Sequence, residues 1–205
     1  MKPIRTVSVM LVVAGLTACV ARTRWELGFR DSLLVRLKWT PNETDNQPSV
    51  LDITGGLFTV RFDPVADKRN KGRQIGENTE GKRPMPIITN DNVGTFLDKW
   101  ITDKMHGLGL TITQDNPERV ITLELIELWA IESTSYQCVI RVKVQVLTPD
   151  GKEIWGGVIA GNGKNWGFSL DEVNYQETIS NAILDFIYTL AKEPKFNLAL
   201  KKQPS

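Results

Sequence analysis

The fold this sequence predicts is α+β: a mostly antiparallel four-stranded sheet in β-α-β-β-β-α order, with two helices packed on one face. Two neighbouring segments alternate strictly, Ile121, Leu123 and Leu125 in one and Cys138, Ile140, Val142, Val144 and Val146 in the other. That period of two is the mark of strands with one buried face. Two other segments repeat their apolar residues every three or four positions, one before the strands and one after them. Each such helix has a single apolar stripe to bury, and the economical arrangement lays both on the apolar face of the sheet.

The chain opens with Lys2 and Arg5, then an apolar run from Val7 to Leu16, then the small residues Thr17 and Ala18. Residues 1–18 are expected to be a signal peptide. The apolar run is about half the roughly 18 to 20 residues a transmembrane helix requires. A secretory peptide cut at an A-x-A-like site fits poorly, because no clean site of that kind lies near Cys19. Leu16-Thr17-Ala18-Cys19 instead resembles the lipobox of bacterial lipoproteins. The resemblance implies that Cys19 becomes the first mature residue, carries a diacylglycerol through a thioether, and can be acylated on its new amino group. Two or three acyl chains on one residue satisfy the two-signal requirement for stable anchoring. Val20 follows the cysteine where an inner-membrane retention rule would place Asp. The same resemblance therefore implies an outer-membrane lipoprotein facing the periplasm.

Removing Lys2 and Arg5 leaves 23 basic residues against 24 acidic ones, and the net charge falls from +1 to −1. No nucleic-acid partner is expected, since a near-neutral chain lacks the cationic footprint that a phosphate backbone selects. With Cys19 lipidated, Cys138 has no cysteine to pair with, so the fold must rest on its core.

Residues 19–55 read as a lipid-anchored segment and linker. Ser32 to Trp39 is strand-like, and Thr40 to Ser49 is rich in turn residues. Leu33 to Trp39 can add an edge strand or cover an open sheet face, and sequence leaves both available. The domain proper spans residues 56–194. Leu57 to Phe62 is a short strand, and residues 63–89 show no sustained period and read as one long loop. Val93, Phe96, Leu97, Trp100, Ile101, Met105 and Leu108 line one helix face, with Thr89, Asn90 or Asp91 available as its cap and Gly107 and Gly109 at its end.

The register of the next two strands can be argued. Joined through Glu132 to Ser135, they place Leu125 opposite Val142, Leu123 opposite Val144, and Glu124 opposite Lys143. Pro149-Asp150-Gly151 makes a tight turn. If that loop has three residues, Ile154, Gly156, Val158 and Ala160 join the core face while Trp155, Gly157 and Ile159 point away; one more residue reverses the assignment. Ser169 with Glu172 forms a capping box. The last helix carries Ile179, Ala182, Ile183, Phe186, Ile187 and Leu190, with Pro194 past its end and a tail over 195–205.

The run Thr95 to Leu110, the hairpin Arg119 to Leu147, the Pro149-Asp-Gly-Lys152 turn, the closing helix after Gly167-Phe168, and the opening Phe58 to Asp63 with Asp67-Lys-Arg69 and Ile75-Gly76 together resemble the YajG-type lipoproteins over residues 56–192. The resemblance is one of order and pattern. It implies a membrane-anchored periplasmic domain.

Catalysis finds little support. His106 is the single histidine, so a His-pair metal site is excluded, and beside Gly107 at a helix end it reads as a dipole contact. Gly161-Asn-Gly-Lys-Asn165 hints at a phosphate loop, yet it follows a strand and leads into Trp166 with Asn165 in place of Ser or Thr. Cys138 alternates with core residues and reads as a buried, inert thiol. No cofactor and no metal are expected.

Surfaces are the better candidates. Asp63, Asp67, Arg69 and Arg73, with Lys68 and Lys71, bring both charge signs onto the 63–89 loop. The half-polar sheet face adds Arg141, Lys143, Trp155, Ile126 and Ile159, and Arg with aromatic residues is a common interface pairing. The expected function is a non-catalytic envelope lipoprotein binding or assembling with a protein partner. The alternatives are a lipid or glycan binding module using Trp155, Trp166 and the glycine-rich segment, with peptidoglycan or lipopolysaccharide as ligand, or an auxiliary lipoprotein of an envelope transport system. A hydrolase using Asp63 and Asp67 is the weakest reading, since two carboxylates on a loop have no fixed geometry.

Overall fold

The computed structural model describes residues 31–42 and 56–202. By its contacts the chain divides into Met1–Asp31 and Ser32–Ser205, and the fold below is that of the second unit. The Leu16 to Cys19 stretch lies outside the described residues, as do residues 43–55 of the expected linker.

The backbone of the domain is a meander of three long strands. These are β6 (Arg119–Glu132), β7 (Tyr136–Leu147) and β8 (Glu153–Asn165). The expected hairpin register is present, with Leu123 opposite Val144, Glu124 opposite Lys143 and Leu125 opposite Val142. Past Leu125 the register shifts by one residue at a bulge on Ile126, after which Leu128 faces Ile140 and Ala130 faces Cys138. The extra residue turns Ile126 outward, 44% exposed, and moves the buried positions from odd to even, so Leu128 and Ala130 stay in the core.

The turn between β7 and β8 holds three residues, Pro149, Asp150 and Gly151. Thr148 and Lys152 close it through Thr148 N–H to Lys152 O at 2.9 Å, and Gly151 takes a φ of +88° inside it. A bulge on β8 then inserts Ile154 between the Leu147–Glu153 and Val146–Trp155 pairs, and this extra residue sets β8 so that Ile159 faces Val142 and Trp155 faces Val146. The face assignment drawn for a three-residue loop is therefore reversed: Ile159 is buried, Trp155 packs against the core, and Ile154 and Val158 are exposed.

Residues 63–89 are not one loop. They hold β3 (Ala66–Asp67), β4 (Gln74–Asn78) and β5 (Met85–Ile88), with β1 (Leu33–Leu34) and β2 (Val60–Phe62) completing the sheet. Among the described residues the sheet has eight strands, six in the order β1-β5-β4-β6-β7-β8 with β2 and β3 also on β6, mixed in direction where four mostly antiparallel strands were expected. One edge of β6 takes three short parallel partners in succession: β2 along Arg119–Ile121, β3 at Glu124 and Leu125, and β4 along Ala130–Glu132. Strands of two to five residues carry too few alternations to show a period.

Three helices, α1 (Val93–Gly107), α2 (Glu172–Lys192) and α3 (Pro194–Leu200), occur among the described residues. Asn92 caps α1, accepting from Thr95 N–H at 2.9 Å, and Asp171 caps α2, accepting from Val173 N–H at 3.0 Å. Neither is the residue the sequence singled out. Helix α2 lies so close to β8 that a Cβ at Gly161 would sit 2.2 Å from Ala182 O and one at Gly163 2.1 Å from Thr178 O. The glycine-rich run is thus a seat for a helix.

The expected C-terminal tail is also part of the fold. Glu193 caps α3, Phe196 and Leu200 are fully buried, and Phe58 N–H reaches Leu200 O at 2.9 Å. At the other end of the chain, Leu33 and Leu34 pair with Ile87 and Ile88 as an edge strand. The chain then runs extended between the helices, where Arg36 N–H bonds Glu172, Leu37 N–H bonds Asp91, and Thr40 N–H bonds Ser180. Glu172 and the buried Ser180 of α2, with Asp91 ahead of α1, thereby satisfy backbone groups that no sheet ladder reaches. Trp39 stacks on Trp100 with centroids 4.8 Å apart.

Candidate functional site

The outer face of the sheet carries a candidate surface. Arg141 pairs with Glu127 at 2.9 Å and Lys143 with Glu124 at 3.5 Å, all four side chains more than a third exposed. Such pairs add little to stability and can exchange partners readily.

Beside them runs a groove of about 500 Å³ lined by Arg69, Asn70, Lys71, Glu77, Ile126, Glu127, Leu128 and Trp129. Its position follows from the sheet. Pairing along this edge of β6 stops at Leu125 with β3 and resumes at Ala130 with β4. The gap from Ile126 to Trp129 is the floor of the groove. The bulge presents Ile126 to it, Lys71 Nζ stands 5.0 Å from the Trp129 ring, and Glu77 and Glu127 supply negative charge. The lining contains neither histidine nor cysteine. An apolar floor with both charge signs at the rim is suited to holding a peptide segment.

The sequence-predicted site residues separate on this frame. Arg69 forms one wall of the groove, yet its side chain is only 3% exposed and grips Asp67 through Nε–Oδ1 at 2.9 Å and Nη2–Oδ2 at 2.7 Å. Burial raises the Asp67 pKa, but the Arg69 hydrogen bonds and charge carry it net below its ordinary value. Arg73 is turned away to Asn90 and Thr89 O, and Asp63 pairs with Arg61 at 3.0 Å. Arg141 and Lys143 are on the outer face as expected. Trp155 is not: it lies on the inner face, edge-on to Phe196 at 5.5 Å. With Trp155 inward and Gly161 and Gly163 under α2, the constellation expected for a glycan or lipid site does not assemble.

Glu77, Glu127 and Trp129 were missed. Their signal was present in the pair Leu125-Ile126, two apolar residues in a row followed by Leu128 and Ala130 in the opposite phase, which is how a bulge reads in sequence.

Cys138 is buried, and burial pushes its thiol up to about 12. Among the described residues, no three or more His, Cys, Asp or Glu side chains are grouped to hold a metal ion, and no helix is long and apolar enough to cross a membrane.

Fold and surface together define an α+β domain with a layer of helices on one sheet face and an open groove on the other. No family model and no curated protein match the chain. A solved structure shares the fold. A Xanthomonas campestris protein of family DUF330, XCC0632, is similar at TM-score 0.55 and 7% identity, over 80% of this chain and 94% of that one. Chlamydia trachomatis CT253 is similar at TM-score 0.47 and 12% identity, over 69% of this chain and 99% of that one. A minor lipoprotein from Acinetobacter baumannii is similar at TM-score 0.42 and 9% identity, over 71% of this chain and 98% of that one.

Proposed function

We propose that the protein is a non-catalytic lipoprotein of the bacterial cell envelope, held by acyl chains on Cys19 at the periplasmic face of the outer membrane, and that it binds an envelope protein through the groove beside β6. The YajG-like order of elements and the Leu16 to Cys19 stretch support the location. The observation that carries the binding role is the open edge of β6 between Leu125 and Ala130, set in an apolar, charge-rimmed groove. An extended segment laid there can add backbone hydrogen bonds to the ladder while Ile126 and Trp129 take its apolar side chains.

Arg69 and Asp67 shape this groove from within. The binding surface proper is Lys71, Ile126, Glu127 and Trp129, with Arg141 and Lys143 at its margin. Affinity purification of the full chain from cells tests the reading. Ile126→Asp is expected to lose the partner that wild type recovers while leaving thermal unfolding unchanged. Recovery equal to wild type would remove the groove from the account.

A further inference from the structure

One end of the molecule carries an apolar projection unrelated to the groove. Between β8 and α2 the chain presents Trp166, Phe168, Leu170 and Val173 at 66%, 87%, 40% and 50% exposure. Exposed apolar side chains this close together on a soluble surface mark a contact site.

The loop is held from beneath. The Phe168 carbonyl accepts from the Tyr136 hydroxyl and from Asn174 Nδ2 at 3.1 Å, and Leu170, at a φ of +58°, donates its N–H to Glu132 at 2.7 Å. Asp171 N–H donates to the Tyr136 oxygen at 3.2 Å. Backbone groups are fixed inward while the side chains stand outward, so contact costs little ordering entropy. Lys164 lies 5.1 Å from the Trp166 ring, and Ser169 bonds Glu80, which brings the β4–β5 turn with exposed Lys82 and Arg83 to the same end. Aromatic side chains beside cations suit a bilayer interface with anionic headgroups.

The path of the chain selects the occupant. Leu33 and Leu34 run parallel to Ile87 and Ile88, so the chain enters the sheet from the Met85 side of β5, the side of the β4–β5 turn. Arg36 N–H then bonds Glu172 at 2.8 Å, in the first turn of α2 beside Val173. Leu33 therefore stands at the end that bears the aromatic loop, 14 peptide steps and at most roughly 50 Å from Cys19.

We infer that the Trp166 to Val173 loop is a second membrane contact, inserting its apolar side chains into the lipid interface and setting the orientation of the tethered domain. This rests on the lipid tether at Cys19, and the experiment separates the two. Full-length lipidated protein is reconstituted on phosphatidylethanolamine and phosphatidylglycerol vesicles with an NBD fluorophore on Phe168→Cys, and in a parallel preparation on Asp150→Cys at the opposite turn. The fluorophore at 168 is expected to shift to the blue and to be quenched by acyl-chain-brominated lipid, and the one at 150 to do neither. Flotation reports the tether: a protein that floats with position 168 in water overturns the loop contact and leaves the tether standing. A blue shift equally present without vesicles assigns the loop to a protein contact and also overturns it.

The Cys19→Ala protein tests the loop with no tether. Its weak partitioning onto the same vesicles is expected to fall by roughly tenfold with each of Trp166→Ala and Phe168→Ser. Partitioning indifferent to both, or none at all, overturns the proposal.

Discussion

The Tyr175 hydroxyl donates to the Glu132 carboxylate at 2.6 Å, joining the tip of the β6–β7 hairpin to the first turns of α2. The same carboxylate accepts the Leu170 amide at 2.7 Å, and the Tyr136 ring stands edge-on to that of Tyr175 at 4.9 Å. A carboxylate 1% exposed is thus the point from which the end of the sheet, the start of α2 and the intervening loop are held together.

Burial raises the Glu132 pKa, but the Tyr175 hydroxyl, the Leu170 amide and further hydrogen bonds lower it, and the net position is below the ordinary 4.5. A pKa depressed by folding contributes stability that is complete above the unfolded value and is lost as pH falls through the folded one. Tyr175→Phe removes a donor, so the Glu132 pKa is expected to rise and the acid-unfolding midpoint to move to higher pH. A loss of about 1 to 3 kcal/mol is expected at neutral pH, read by urea unfolding. An unchanged acid midpoint would show that Glu132 does not govern this end of the fold.

Gly163→Ala places a methyl group 2.1 Å from Thr178 O, a backbone atom that cannot rotate aside. Helix α2 must move off β8, and the expected cost is about 3 kcal/mol or more. Gly107→Ala at the end of α1 meets nothing within 4 Å and is expected to leave stability the same or slightly higher. Comparison of the two thermal midpoints decides the matter.

Much of the meander was legible in the sequence, because β6 and β7 are long enough for alternation and opposite charges to agree on one register, Glu124 against Lys143. What escaped was local. The Ile126 bulge on β6 and the Ile154 bulge on β8 each displace the phase by a residue, and in a period-two structure that exchanges the faces; the second is why Trp155 was expected outside. The region between Asp63 and Thr89 pairs in fragments whose stability comes from the edge of β6, a partner far away in sequence. The groove needed both pieces, so its charged wall was visible in sequence and its apolar floor was not.

Phe196→Ala tests whether the C-terminal helix belongs to the core. Phe196 is fully buried against Trp155, and its truncation is expected to cost about 3 to 5 kcal/mol. Leu198, on the same helix at 72% exposure, is expected to tolerate alanine within about 0.5 kcal/mol. Equal effects on chemical denaturation would mean that the helix is not docked as described.

Arg69→Ala leaves Asp67 without its bidentate partner. The Asp67 pKa is expected to rise, followed by carboxyl NMR titration, and partner recovery to fall because the groove wall collapses. Arg69→Lys, with a point charge in place of a planar fork, is expected to restore neither fully. An Asp67 titration unmoved by either change would contradict the internal role assigned to Arg69.

The central claim is that the outer-face groove beside β6 holds an envelope protein, and in-cell photocrosslinking tests it most directly. A photoreactive residue is placed at Ile126 or Lys71 in the groove, with Trp155 on the inner face as the internal control and Cys19→Ala as the untethered one. The account predicts a discrete adduct from both groove positions, none from Trp155, and its loss when the tether is removed. Adducts from Trp155 with none from Ile126 or Lys71 would contradict it.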